Sequence, residues 1–178
     1  MKNRWIGLII LCVAVSCSEQ RERATVSVQL FEAQLLADAQ GPSYAGWDTV
    51  SFGSADATIQ YVISPKPLLT EWNIAAFKAS QPQTDGTRAV TARLNAYAQR
   101  SMHDFCSLPT NLKKPLGLRV GDRWLNFNPL LKPVTDRLTL MGFTTQETEQ
   151  LQRYIDQRSV SYTHLRAHET RHDVVCRL

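Results

Sequence analysis

Four cysteines in 178 residues overstate what the body of this chain holds. Cys12 and Cys17 lie near the start and Cys176 near the end, so Cys106 stands alone between them. One thiol closes no disulfide and builds no cysteine cluster for a metal. Histidine is scarcer still, since only His103 of the four precedes residue 160. The chain has no Gly-rich phosphate loop and no nucleophile elbow. Past the N-terminus it has no apolar run of membrane-spanning length, about 20 residues. Charge of one sign is also lacking: Ser18 to Arg158 carries 15 Lys and Arg against 14 Asp and Glu. The formal +4 of the whole chain therefore comes mostly from its two ends. A near-neutral body gives nucleic acid or an anionic surface little to hold. No cofactor, metal or small-molecule substrate is called for.

What is present begins with an address. Lys2 and Arg4 precede an apolar run from Trp5 to Val15, and Ala14-Val15-Ser16-Cys17 follows. A basic start, a short apolar stretch and small residues before a cut make a secretory signal peptide over residues 1–17. The Ala-Val-Ser-Cys ending resembles a bacterial lipobox, which implies Cys17 as the lipidated first residue of the mature chain. Ala14 stands where most lipoboxes carry Leu. Ser18 rather than Asp after Cys17 implies the outer membrane, with the domain facing the periplasm. Several acyl chains anchor durably where one is marginal. The alternative is an ordinary signal peptide cut nearby. Residues 18–24, SEQRERA, are polar and read as a tether.

The other end breaks in composition. Residues 159–178 contain VSYTHLRAHETRHDVVCRL from 160 on, with His164, His168 and His172. This segment resembles the translation of a sequencing adapter joined to a truncated gene, so it is expected to be non-native and the native sequence readable only to about Arg158. His168-Glu169-Thr170-Arg171-His172 matches H-E-x-x-H, which on a helix sets two imidazoles on one face for zinc with the Glu as base. A catalytic zinc needs a supporting fold and outer hydrogen bonds to orient its ligands. Only six residues follow His172, and few apolar side chains could pack such a helix. No metal site is therefore assigned. In the body, His103 and Cys106 are three apart, close enough to pair on one helix face, but no third group orients them. Asp104 adjoins His103, and neighbours on a helix do not face each other. Cys106 reads as a buried apolar thiol, and no catalytic residue is assigned.

Residues 25–158 are expected to form one domain. Val26, Val28 and Leu30 alternate with polar residues, as do Ile59, Tyr61 and Ile63, and each set predicts a strand. Phe31 to Ala37 extends the first. Residues 41–56 read as a loop or a loose hairpin arm. Ile74 and Phe77 with Ala75 and Ala76 predict a short helix from Thr70 to Ser80. Val90, Ala92 and Leu94 predict a strand, followed by a helix capped by Asn95 with a stripe of Ala98, Met102, Phe105 and Cys106. Leu116 to Val120 and Trp124 to Phe127 predict a hairpin around Gly121-Asp122. Leu138 and Leu140 predict a strand that Gly142 ends, and Thr144 with Glu147 forms a capping box for a last helix. The sum is an α+β fold: a mostly antiparallel sheet with about three helices on one face.

Two stretches in order resemble the first periplasmic domain of SecD, the protein-export subunit, and its head subdomain most closely. Tyr61 to Thr70, then Asn73-Ile74-Ala75-Ala76-Phe77, parallels a strand, a proline-containing link and a helix of that family. Leu116-Gly117-Leu118-Arg119-Val120-Gly121-Asp122-Arg123-Trp124-Leu125, then Asn128-Pro129, then Leu140-Met141-Gly142-Phe143-Thr144-Thr145-Gln146-Glu147, parallels its hairpin and final helix. Departures are a Gly–Phe spacing one residue short and Thr148 in place of Ala. The family's transmembrane bundle and its carboxylates have no counterpart here. The resemblance implies a SecD head-like fold and a non-enzymatic role that contacts unfolded polypeptide or an envelope protein. Trp47, Phe52, Trp72 and Trp124 are candidates for contact surface or for the core. The alternatives are a fragment of a longer membrane or export protein and a hydrolytic or metal-dependent enzyme.

Overall fold

The structure, a computed structural model, describes residues 26–54 and 57–172, with side chains over 26–53 and 57–159. The signal segment, Cys17 and the tether lie outside the described residues. So do Cys176 and the side chains of His164, His168, Glu169 and His172.

Among the described residues, nine strands and two α-helices are present, and the strands form two antiparallel sheets. The larger is built around β1 (Val28–Leu35), which pairs with β3 (Ala57–Ile63), β4 (Leu69–Thr70) and β7 (Pro115–Val120). β2 (Asp48–Ser54) continues it beyond β3, and β8 (Arg123–Pro129) beyond β7. The smaller sheet runs β5 (Ile74–Ala79), β6 (Arg88–Leu94), β9 (Arg137–Phe143). β1 is central because both its faces are apolar. Val28 and Leu30 enter the main core, while Phe31 and Ala33 are buried toward the opposite face.

The main core joins both sheets to both helices. Leu30 and Leu118 come from the larger sheet and Val90 and Leu140 from the smaller; Met102 comes from α1 (Ala96–Cys106) and Leu151 from α2 (Thr145–His172). Burying each such side chain contributes about 1.5–3 kcal/mol. α1 starts where Asn95 accepts the Ala98 N–H, and its buried stripe is Ala98, Met102, Phe105 and Cys106 as the spacing predicts. A second, smaller core lies on the other face of the larger sheet, where Tyr61 and Phe127 stack at 4.1 Å.

One expectation is corrected and one left open is resolved. Residues 70–80 form a single 3-10 turn, Glu71–Asn73, and then strand β5, so the α-helices among the described residues number two rather than about three. The Asn73 side chain accepts the Thr70 N–H at 2.7 Å and starts the turn; pairing with β6 then extends Ile74 to Ala79. Alanine's helix preference is worth less than the ladder of backbone bonds to β6, which is interrupted only by a bulge at Ala75. Of the two readings of residues 41–56, the hairpin arm holds for 48–54, where every residue of β2 has a partner in β3.

Candidate functional site

The two sheets meet along β8 and β9 without pairing. Each is an edge: β8 bonds to β7 and β9 to β6, and no backbone ladder joins them among the described residues. Side chains bridge the seam at one end. Asn126 donates its amide to the Met141 carbonyl at 2.8 Å, and the Arg123 guanidinium donates to the Gly142 carbonyl at 3.2 Å. Gly142 holds φ 94° beside a register shift, which turns its carbonyl toward Arg123. Arg123 also grips both oxygens of Glu147, at 2.9 and 2.7 Å, and Glu147 accepts the Thr144 N–H at 2.7 Å. The capping box that starts α2 is therefore tied to the β7–β8 hairpin.

Beyond Asn126 the strands diverge and open a groove of about 600 Å³. Pro129 ends β8, and the link to β9 passes over the opening with Pro133 in it. Val134 is buried and pins this link to the main core, while Leu131 is 94% exposed. Leu30, Leu116 and Leu118 line the groove from the larger sheet. The edge of β9 from Arg137 to Met141 forms one wall, and Asn126 and Asn128 of β8 the other. Lys132 and Arg137 line it and no acidic side chain does. Arg137 touches the Asp136 carboxylate at 3.4 Å, both well exposed, a pair of little energetic weight.

The candidate residues read from the sequence do not gather here. His103 and Asp104 are exposed on α1, and Cys106 is buried in its stripe. No three His, Cys, Asp or Glu among the described residues stand where they could hold a metal ion. Of the four aromatic candidates, Phe52 and Trp124 pack half-buried on the second core, against Phe127 at 5.1 and 5.2 Å. Trp47 is half-buried, edge-on to Tyr44 at 5.0 Å. Trp72 is 61% exposed, but Arg158 covers one side of it at 5.3 Å and Tyr154 meets it edge-on. Burial pushes the Tyr154 phenol above its usual range, and the neighbouring Arg158 works against that shift.

No protein-family model and no curated protein matches the chain. Two solved structures of SecDF are similar to it. One, of a membrane component that enhances protein export, has TM-score 0.46 and 11% identity over 73% of this chain and 61% of its own. The other, a super-membrane-facing form of SecDF, has TM-score 0.45 and 12% identity over 75% of this chain and 19% of its own. The chain thus spans less than two thirds of either structure's length. No residue of the groove is assigned from them.

Sequence reasoning noticed Asn128-Pro129 but not the groove. The available signal was Leu130-Leu131, two large apolar residues between Pro129 and Pro133 in a connecting segment. Among the described residues no helix is long and apolar enough to cross a membrane.

Proposed function

We propose that this chain is a non-enzymatic lipoprotein of the bacterial envelope, held on the membrane through Cys17 and facing the periplasm from the outer membrane, whose groove between β8 and β9 engages unfolded polypeptide or an envelope protein. The groove carries this reading. Its lining is mostly apolar with a few polar groups, and Leu131 and Met141 are 94% and 46% exposed at its border. Exposed apolar residues of that size, gathered on one opening, mark interaction surfaces. The SecD-like order of motifs relates the role to protein export. The sequence around Cys17 supports the anchor.

Titration of the full chain with reduced, carboxymethylated α-lactalbumin, a permanently unfolded probe, tests the binding. The expected outcome is saturable binding that the native, calcium-loaded probe does not reproduce. Equal binding of both forms, or of neither, overturns the reading. Mass analysis of the mature N-terminus tests the anchor, with a lipidated Cys17 expected and an unmodified cut elsewhere counting against it.

A further inference from the structure

We propose that the groove takes its polypeptide as an added β-strand, bonded through its main chain to the free edge of β9, with an acidic residue of the ligand set toward Lys132 and Arg137. This rests on the polypeptide-binding reading above and specifies how that site recognises its ligand.

The direction of the β9 backbone carries the inference. The Leu94 N–H donates to the Asp136 carbonyl at 2.8 Å, so that carbonyl faces β6. The Asn126 amide reaches the Met141 carbonyl from the opposite side. The register from Arg137 to Met141 is unbroken, with Arg137, Thr139 and Met141 opposite Arg93, Thr91 and Ala89. Backbone groups along a strand alternate in direction, so those of Leu138 and Leu140 serve β6. The N–H and C=O groups of Arg137 and Thr139, and the N–H of Met141, point into the groove. A row of outward backbone groups is the template that strand addition uses.

The groove fits such a guest in three further ways. Asn126 already does with a side chain what a strand would do with its main chain, since its amide bonds the edge carbonyl of Met141. Asn128, two residues on and lining the same opening, offers a second amide. Alternate side chains of an added strand would turn toward Leu116 and Leu118 below, which asks for apolar residues at every second position. With two cations and no carboxylate in the lining, an acid is favoured where the guest passes Lys132 and Arg137.

The test uses the full chain and a synthetic peptide of alternating Leu and Thr with a terminal Asp, N-methylated at one backbone position at a time. Strand addition predicts that methylation weakens binding tenfold or more at every second position and little between them. The Thr139→Pro variant, which removes one outward donor and leaves the β6 ladder intact, is expected to bind about tenfold more weakly with its unfolding midpoint kept. Lys132→Glu is expected to weaken the Asp peptide several-fold and its Asn counterpart much less. A flat methylation profile with binding retained overturns strand addition while the polypeptide-binding reading stands. Absence of binding by both the peptide and unfolded α-lactalbumin removes both.

Discussion

Gly117 and Phe127 face each other across β7 and β8, and the ring of Phe127 occupies the space that a side chain on Gly117 would need. A Cβ there would lie 2.8 Å from Phe127 Cε1 and 3.0 Å from Trp124 Cζ3. The bare backbone lets both rings lie across the strand. Phe127 is thereby placed flat against Tyr61, 7° from parallel. Gly117→Ala is expected to cost about 1–3 kcal/mol through overpacking. Urea unfolding measures it, and an unchanged midpoint would show that the rings move aside freely.

Among the described side chains of α2, Leu151 is the one that enters the main core completely. Leu151→Ala should cost about 2–5 kcal/mol, because it leaves a cavity in the main core where α2 packs on β5 and β6. Leu131→Ala, at an exposed site, should stay within about 0.5 kcal/mol. If both variants unfold at the same denaturant concentration, α2 is not packed as described.

Glu147 joins a helix cap to a hairpin. It accepts the Thr144 N–H and holds Arg123 through both of its carboxylate oxygens. Glu147→Ala is expected to cost about 1–2 kcal/mol, mostly through the lost cap. Arg123→Gln should cost less, since the guanidinium is about half exposed and water screens the pair. The ranking of the two in thermal unfolding, rather than either value alone, checks the claim.

Among the described residues the buried Tyr154 hydroxyl has no well-formed hydrogen bond, although the Arg158 guanidinium lies close to it. Tyr154→Phe keeps the ring against Trp72 and removes that hydroxyl, so stability should stay equal or rise by up to about 1 kcal/mol. Burial raises the phenol's pKa in the folded state. Its contribution is therefore whole below the ordinary tyrosine value, about 10, and is lost as pH rises through the folded value. The wild type should lose stability above about pH 10 more steeply than Tyr154→Phe. Parallel alkaline unfolding curves for the two would contradict this.

Leu131→Asp and Met141→Asp place a charge at the border of the groove on side chains that are 94% and 46% exposed. Each should abolish binding of the unfolded probe and leave the unfolding midpoint nearly unchanged. Loss of binding only in step with loss of folding would argue that the groove is not the contact.

The sequence is most legible where structure is local. Asn95 and the stripe from Ala98 to Cys106 define α1 within one segment, and Thr144 with Glu147 defines the start of α2. Gly121-Asp122 sets the β7–β8 turn in the same way. The segment misread as a helix, and the one left open between loop and hairpin arm, depend on partners outside themselves. Ala75 and Ala76 favour a helix alone but lie in a strand beside β6. Asp48, Ser51 and Gly53 disfavour strands yet pair fully with β3. The groove was hidden for a related reason. Leu30, Leu118, Asn126 and Leu140 come from four strands, so no spacing along the chain connects them.

The position of β1 has a consequence for how the molecule comes into being. Gln29 and Arg119 lie side by side in the finished sheet but 90 positions apart along the chain. A polypeptide delivered N-terminus first therefore presents its central strand long before that strand's main partner arrives. Pairings of such span are slow to close, because the intervening chain must be ordered before they form. The β1–β3 and β2–β3 pairings lie within residues 28–63, so the larger sheet starts from that part of the chain and is completed only when β7 and β8 arrive.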